Sequence, residues 1–318
     1  MAKYRHRLPQ MDGSVFLSDG GMETYLIFDK GIDLPLFASF PLVATDDGRR
    51  ALRDYYEHYL KIARARGTGF ILDTATWRAS PDWAAQLGYD APALRRINAA
   101  ALDLVAELRE AWETPSVPCV LNGAIGPRGD GYKAGRMEPA EAEDYHSAQI
   151  ATFADGPADM VSAITMNTVA EALGIAQAAK AHRMPCVVSF TVETDGRLVD
   201  GTTLRAAVEA VDEATGGSPA YYMINCAHPV HFEQALEDGE AWLSRVRGIR
   251  ANASTKSHQE LDESTELDPG DPIDLGRRYA RLASALPRMR VFGGCCGTDH
   301  RHIGAICEAV LPPLARSA

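Results

Sequence analysis

The strongest constraint on the fold is a repeated alternation of short apolar runs with amphipathic helical patterns along the 318-residue chain. The apolar runs predict eight strands, at residues 15–18, 70–73, 119–122, 160–164, 186–191, 221–225, 248–251 and 290–292. Eight strand–helix units over this length average roughly 40 residues each, which is typical of a (β/α)8 barrel. We therefore expect an α/β fold in which residues 1–318 form a single (β/α)8 TIM barrel.

The helical patterns between these runs have identifiable ends. One apolar stripe covers residues 52–63 and stops before Gly67, and a second covers residues 94–112. Thr168 and Glu171 have the spacing of a capping box, and Pro229 suits the first position of a helix that would stop at Gly239. An open doubly wound sheet is the alternative fold, but the first strand is not followed by the Gly-x-Gly-x-x-Gly turn that such a sheet would favour.

The longest connections follow the third and seventh predicted strands, at residues 123–138 and 252–272. Both would lie over the C-terminal face of a barrel as partial covers. The second connection is acidic, and a solvated, mobile segment is the simpler interpretation of its charge.

The charge balance limits the partners. The chain has 32 Lys and Arg against 43 Asp and Glu, which gives a net charge of −11, and it lacks a long basic run. We therefore expect neither nucleic acid nor a membrane as a partner. The N-terminal residues have no apolar stretch of signal-peptide length, so the expected location is the cytoplasm.

Three cysteines form the strongest candidate for a chemical site. Cys295 and Cys296 are adjacent, lie between glycines and follow the last strand, and Cys226 ends the sixth strand. The C-terminal ends of barrel strands open on one face, so the three sulfurs can converge there. A Cys₃ set favours tetrahedral Zn²⁺ with the fourth position left for a substrate.

Other interpretations of the cysteines stay open. Cys295 and Cys296 could form a redox-active vicinal disulfide, although Cys226 would then have no role. Cys119, Cys186 and Cys307 fall within predicted strands or on an apolar helix face, so we interpret them as small buried hydrophobic residues.

The chemistry of an open Cys₃–zinc site favours thiols. A free thiol with a pKa of about 8.5 is only slightly ionised at neutral pH, whereas coordination to Zn²⁺ deprotonates it. A thiolate bound beside three others stays electron-rich. The site therefore predicts thiol alkylation rather than hydrolysis.

Several motifs give the chain a resemblance to a known family. They are Asp-Gly-Gly-Met-Glu-Thr at 19–24, Asp-Thr-Ala-Thr-Trp-Arg-Ala-Ser at 73–80, Gly-Ala-Ile-Gly-Pro at 123–127, Ser-Phe-Thr at 189–191, Asn-Cys at 225–226 and Gly-Gly-Cys-Cys-Gly-Thr at 293–298. The chain resembles the homocysteine S-methyltransferase family. This family includes betaine–homocysteine and S-methylmethionine–homocysteine methyltransferases and the homocysteine module of cobalamin-dependent methionine synthase.

The resemblance implies a zinc-containing barrel that methylates a thiol such as homocysteine, with a role in methionine biosynthesis. It implies that Cys226, Cys295 and Cys296 hold Zn²⁺ as the cofactor. It also implies that Asp19, Gly20, Asp73, Thr74 and Thr165 line the substrate pocket. No catalytic residue beyond the zinc site is implied.

One position departs from the family pattern. The fourth strand of the family usually ends in a Glu-Thr or Glu-Tyr pair whose Glu helps to hold the homocysteine ammonium group, and this chain has Ile164-Thr165 there. Loss of a charge that pairs with a ligand typically costs a few kcal/mol. The sequence therefore predicts weak use of homocysteine unless Asp19 or Asp73 replaces the missing Glu.

The leading functional hypothesis is a zinc-dependent S-methyltransferase that uses an onium-type donor. Trp77, Tyr25, Phe28 and Phe190 are near strand ends and are candidates to face a cationic donor. A corrinoid donor would need a separate partner protein, and a homo-oligomer is compatible with the sequence. Two alternatives are a non-catalytic zinc- or thiol-binding barrel and a lyase on the same fold, for which Lys256 is the lysine nearest a strand end.

Overall fold

The computed structural model describes residues 1–237 and 241–311. Its centre is a closed barrel of eight parallel strands, each hydrogen-bonded to the strands before and after it in the chain, with β1 pairing with β8. The strands are β1 Phe16–Leu17, β2 Gly69–Asp73, β3 Cys119–Ile125, β4 Met160–Met166, β5 Cys186–Phe190, β6 Tyr221–Asn225, β7 Val246–Ala251 and β8 Val291–Gly294.

The predicted (β/α)8 barrel is therefore confirmed, and the open doubly wound alternative is wrong. All eight predicted strands exist. The third and fourth continue three and two residues further than predicted, and the seventh begins two residues earlier.

Helices cover the outside of the barrel or lie at its C-terminal face. Their bounds are α1 Met22–Thr24, α2 Asp46–Arg66, α3 Pro81–Gln86, α4 Ala91–Trp112, α5 Pro139–Asp155, α6 Val169–Ala181, α7 Leu204–Thr215, α8 Pro229–Phe232, α9 His258–Asp262, α10 Pro272–Ala285 and α11 His300–Val310. The two helices predicted from apolar stripes are α2, which ends before Gly67 in the left-handed conformation, and α4.

Two helix-start predictions have different outcomes. Helix α6 does begin after Thr168, but the Thr168 side chain makes no capping hydrogen bond, so the predicted capping box is wrong. Its Glu171 instead accepts a hydrogen bond from the backbone N–H of Arg128 and contacts His146 Nε2 at 2.9 Å. Pro229 does start a helix, but this helix ends at Phe232 and is followed by a 3₁₀ helix at Glu233–Leu236. The helix therefore stops earlier than predicted, and Gly239 itself lies outside the described residues.

Two apolar layers follow from the alternation of side chains along each strand. Inward-facing residues fill the barrel, among them Phe16, Ile71, Val120 and Tyr221. Outward-facing residues such as Phe70 and Leu72 pack in the larger layer under the helices. The barrel is thus a packed core, and its open, C-terminal face remains available for a site.

Among the described residues, helices of sufficient length and apolar character to cross a bilayer are absent.

Candidate metal and substrate site

Three sulfurs converge at the C-terminal face of the barrel. Cys226 directly follows β6, and Cys295 and Cys296 directly follow β8. Their sulfur atoms lie within 4.8 Å of one another. This is the predicted convergence, and a sulfur-only donor set of this size can hold a metal ion that prefers thiolate ligands.

The structure has one bond within this cluster: Cys226 and Cys295 form a disulfide, and Cys296 is a free thiol. The alternative of a vicinal Cys295–Cys296 disulfide is therefore wrong. Burial raises the pKa of the Cys296 thiol to about 11, and its sulfur lies 3.9 Å from the Tyr132 hydroxyl. Metal binding consequently requires reduction of the disulfide and loss of the thiol protons.

The backbone at Cys226 has an unusual shape that aims its side chain into the mouth. Its φ of 53° lies in the left-handed region, which few residues other than glycine adopt. The Cys226 carbonyl accepts a hydrogen bond from Asn252 Nδ2 at 3.0 Å and lies 2.6 Å from His258 Nε2. These contacts hold a conformation that would otherwise be costly.

Asn225 connects the ends of three strands beneath the sulfurs. Its Oδ1 accepts hydrogen bonds from the Ser189 hydroxyl at 2.6 Å and from the backbone N–H of Thr165 at 3.0 Å. Its Nδ2 donates to Thr165 Oγ1 at 2.8 Å. Thr165 also has a left-handed φ of 65°, and its hydroxyl is 3.9 Å from Cys226 Sγ. Thr165 therefore lies beside the cysteine cluster.

Gly20 and Gly21 allow the turn after β1 to pack directly against the cysteine loop. A Cβ at Gly20 would lie 2.6 Å from the Thr298 carbonyl oxygen, and a Cβ at Gly21 would lie 2.6 Å from the Cys295 carbonyl oxygen. Both distances are too short for real contacts, so larger residues would displace the loop that carries Cys295.

Asp19 and Asp73 lie at the mouth of the barrel, and both form ion pairs with one arginine. This arginine was not predicted from the sequence. Arg250, on β7, forms ion pairs with both carboxylates. Asp19 also accepts a hydrogen bond from the Tyr55 hydroxyl at 3.0 Å. Burial raises the pKa of Asp19, while Arg250 opposes this rise. Neither carboxylate is free to replace the missing Glu without leaving Arg250.

Thr74 completes the predicted substrate-binding set, and Ile164 is the position at which the chain departs from the family pattern. Thr74 Oγ1 accepts a hydrogen bond from the backbone N–H of Ala124 at 3.0 Å, so its side chain ties β2 to β3. Ile164 is 8% exposed and lines the cavity, and its carbonyl accepts a hydrogen bond from Trp77 Nε1 at 3.2 Å. The position that carries Glu in the family pattern is therefore apolar and faces the site.

The cavity above the sulfurs has a volume of about 450 Å³. Both long connections contribute to its wall, through residues such as Tyr132 and Leu261. Of the four aromatic residues predicted to face a cationic donor, Trp77 and Phe28 line the cavity. The other two, Tyr25 and Phe190, pack in the apolar core. The cavity also holds three cysteines, several carboxylates and the two arginines Arg78 and Arg250.

The remaining thiols and the candidate lysine lie elsewhere. Cys119, Cys186 and Cys307 are buried, and burial raises the pKa of each thiol, to about 12, 12 and 11 respectively. Lys256 is exposed and lies outside the cavity wall. A Schiff-base lyase therefore has no lysine at this site among the residues lining the cavity.

A sequence profile described as homocysteine S-methyltransferase matches residues 16–310. The chain belongs to the homocysteine S-methyltransferase family. This membership agrees with the barrel and with cysteines at the ends of β6 and β8, and the resemblance found in the sequence is confirmed.

Solved structures give the same fold for this family member. The metallated form of the homocysteine methyltransferase MmuM from Escherichia coli is 22% identical, with a TM-score of 0.75 over 96% of this chain and 99% of that chain. The oxidized form of the same protein is 22% identical, with a TM-score of 0.73 over 92% of this chain and 94% of that chain. At this identity, the likeness establishes the fold.

Proposed function

We propose that this protein is a zinc-dependent S-methyltransferase that moves a methyl group from an onium-type donor to a thiol. Cys226, Cys295 and Cys296 would hold the metal. The observation that carries the proposal is the convergence of their three sulfurs within 4.8 Å at the floor of a cavity large enough for two small substrates.

The donor set supports zinc over the other common divalent ions. Three soft thiolates suit Zn²⁺, whereas Mg²⁺ and Ca²⁺ prefer oxygen ligands. When bound, Zn²⁺ would supply an open fourth position at which a substrate thiol is deprotonated near neutral pH.

The chain's own residues would set the geometry around that thiol. Asn225 orders Thr165 next to Cys226, and Asn252 and His258 fix the Cys226 carbonyl. The two long connections narrow the cavity mouth and would exclude water from the nucleophilic sulfur. These residues act by positioning the ligands.

The acceptor is proposed to be homocysteine or a related thiol. Ile164 offers neither charge nor hydrogen bond to an α-ammonium group, and Asp19 and Asp73 are already paired with Arg250. An unpaired ammonium group in an apolar site carries a desolvation cost. We therefore propose that a thiol without the α-amino group competes well with homocysteine.

The donor is proposed to carry its methyl group on a positively charged sulfur or nitrogen, because the thioether or amine that remains after methyl transfer is then a neutral leaving group. Carboxylates of the cavity wall that do not pair with Arg250, such as Asp262 and Glu266, favour such a cation. A methyl-loaded corrinoid carried on a separate protein is the other chemistry that would serve as donor.

A transfer assay tests this proposal. Reduced, zinc-loaded protein is incubated with homocysteine and S-methylmethionine carrying isotopically labelled methyl groups, or with labelled glycine betaine, and label on the thiol is measured. Cys296→Ala should abolish both stoichiometric zinc and transfer, since two thiolates make a poor site.

Cys119→Ala is the matched control, because Cys119 is a buried cysteine within β3. This variant should keep both zinc and transfer. Full zinc occupancy in Cys296→Ala, or label that never reaches a thiol with any donor, would contradict the proposal.

A further inference from the structure

Arg78 is a cavity residue that the site described above does not use. It follows β2 in a turn and lines the same cavity as the cysteines. Its guanidinium packs against three aromatic rings, at 4.1 Å from the centroid of Trp83, 5.0 Å from Trp77 and 5.8 Å from Phe37. These rings hold the planar group in one place, which makes it a preorganised binding element.

Most of the hydrogen-bonding capacity of Arg78 is unused. One terminal nitrogen donates to the carbonyl of Leu36, while Nε is buried without a partner. Within residues 1–237 and 241–311, Arg78 forms no ion pair. Burial lowers the pKa of Arg78, but a guanidinium stays protonated in proteins. A half-buried cation with free donors has a high affinity for a planar anion.

The other arginine of the cavity wall differs from Arg78 in this respect. Arg250 is held by Asp19 and Asp73, so its charge is already compensated. The carboxylate of Glu23, also in the wall, accepts a hydrogen bond from Ser39 Oγ at 2.7 Å and does not pair with Arg78. Among the described residues that line the cavity, Arg78 is therefore the cation available to a ligand.

Trp77 connects Arg78 to the thiol end of the site. Its ring contacts the Arg78 guanidinium, and its Nε1 donates to the carbonyl of Ile164, the residue before Thr165. Thr165 in turn lies 3.9 Å from Cys226 Sγ. A ligand whose sulfur or methyl group lies at the cysteines can therefore extend along the Trp77 ring and contact Arg78.

We infer that Arg78 binds the carboxylate of a substrate and so restricts the enzyme to carboxylate-bearing substrates. This inference rests on the proposed methyl transfer and names a specificity-determining residue for it. The bidentate N–H pattern of Arg fits a carboxylate, and the aromatic rings around it shield part of the pair from water.

The carboxylate can belong to the acceptor or to the donor, and paired substrates distinguish the two. The acceptor pair is homocysteine and 3-mercaptopropylamine, which lacks the carboxylate. The donor pair is S-methylmethionine and its decarboxylated sulfonium analogue. kcat and KM are measured for each with wild type, Arg78→Gln and Arg78→Lys.

Arg78→Gln should lower kcat/KM for the carboxylate-bearing member of one pair by about tenfold or more, since a hydrogen-bonded charge pair is lost. The decarboxylated member of that pair should change less than about twofold, and Arg78→Lys should retain part of the preference by keeping the charge. The pair that responds identifies which substrate Arg78 holds. Equal losses for both members of each pair, or no loss at all, would overturn the inference.

Arg64→Gln is the matched control, because Arg64 also stacks on a tryptophan, at 5.3 Å from the Trp112 ring, but outside the cavity. It should leave both substrate preferences unchanged. If Arg78→Gln does not fold, the same kinetic comparison is made with Arg78→Lys, and equal losses for both members of each pair, or no loss at all, again overturn the inference.

A binding measurement separates this inference from the proposed function. Trp77 and Trp83 flank Arg78, so their fluorescence reports a ligand there. Methionine should change the fluorescence of wild type with at least about tenfold higher affinity than 3-methylthiopropylamine, and Arg78→Gln should remove that difference. This result without methyl transfer would refute the proposed function and leave the role of Arg78 standing. Equal binding of both probes by wild type would overturn the role of Arg78.

Discussion

Removal of the Arg250 charge tests the electrostatic organisation of the cavity floor. Arg250 is 11% exposed and pairs with Asp19 and Asp73, whose side chains are 3% and 7% exposed. Arg250→Met keeps a long apolar side chain but leaves two buried carboxylates without their common partner. Breaking a buried pair in this way costs about 3–5 kcal/mol.

The expected loss can be converted to a shift in the unfolding midpoint. Unfolding entropy near the midpoint is about 2.1 cal/mol/K per residue, which gives about 0.67 kcal/mol/K for this chain. Arg250→Met should therefore lower the midpoint by about 4–8 °C. Adding Asp19→Asn to the variant should recover part of the loss, because one unpaired charge is then removed.

The size of the shift should depend on pH. Burial already raises the pKa of Asp19 above its ordinary value of 3.8, and Arg250 limits that rise. A carboxyl group whose pKa is higher in the folded state destabilises the fold increasingly as pH rises above its unfolded pKa, until it passes its folded pKa. Without Arg250 the folded pKa rises further, so the midpoint difference from wild type should be smaller at about pH 5 than at about pH 8.

Calorimetry on reduced protein at both pH values measures these shifts. Arg95→Met is the control, since Arg95 and Asp155 form a pair at 3.0 Å in which both side chains are 69% exposed. An exposed pair contributes about 0–1 kcal/mol, so the midpoint should move by less than about 2 °C. An Arg250→Met variant no less stable than Arg95→Met at about pH 8 would refute the reasoning.

Two further predictions concern the acceptor and the thiols. Ile164→Glu should improve kcat/KM for homocysteine relative to 4-mercaptobutyrate, a thiol that lacks the α-amino group. The improvement should be about tenfold if about 1.4 kcal/mol of ion pairing is restored. An unchanged ratio would show that the side chain at position 164 does not contact the ammonium group. Metal-free protein stored in air should form the Cys226–Cys295 disulfide while Cys296 remains a free thiol, whereas zinc should protect all three cysteines from oxidation. Peptide mapping after alkylation measures this, and equal free-thiol counts with and without zinc would contradict metal binding by these cysteines.

The strands could be predicted because barrel strands are buried on both faces and leave continuous apolar runs in the sequence. The errors in the strand ends occur where a single residue interrupts the apolar run. Strand β7 begins earlier than predicted because Arg247 interrupts its apolar pattern. Strand β3 ends later because Gly123, which leaves room for the Phe153 ring, interrupts its apolar run, and β4 ends later because the polar Thr165 interrupts its own.

The convergence of the three cysteines could be predicted because strand order alone brings the ends of β6 and β8 to one face. Arg250 could not, since its partners lie 231 and 177 residues away in the chain and no local pattern relates them. Tyr132 was missed for a similar reason, since its contact with Cys296 crosses 164 residues. The capping box predicted at Thr168 is wrong for the opposite reason, because a local pattern is present but is not used. Glu171 contacts residues distant in the sequence, Arg128 and His146, in place of the backbone of Thr168.

X-ray absorption at the zinc edge tests the central claim most directly. The account predicts three sulfur ligands at about 2.3 Å and one lighter ligand in reduced, zinc-loaded protein, and four sulfur ligands at that distance after addition of the acceptor thiol. The Cys119→Ala control should give the same change. Nitrogen or oxygen ligands in place of the three sulfurs, or a sulfur count that stays at three with saturating thiol, would contradict the account.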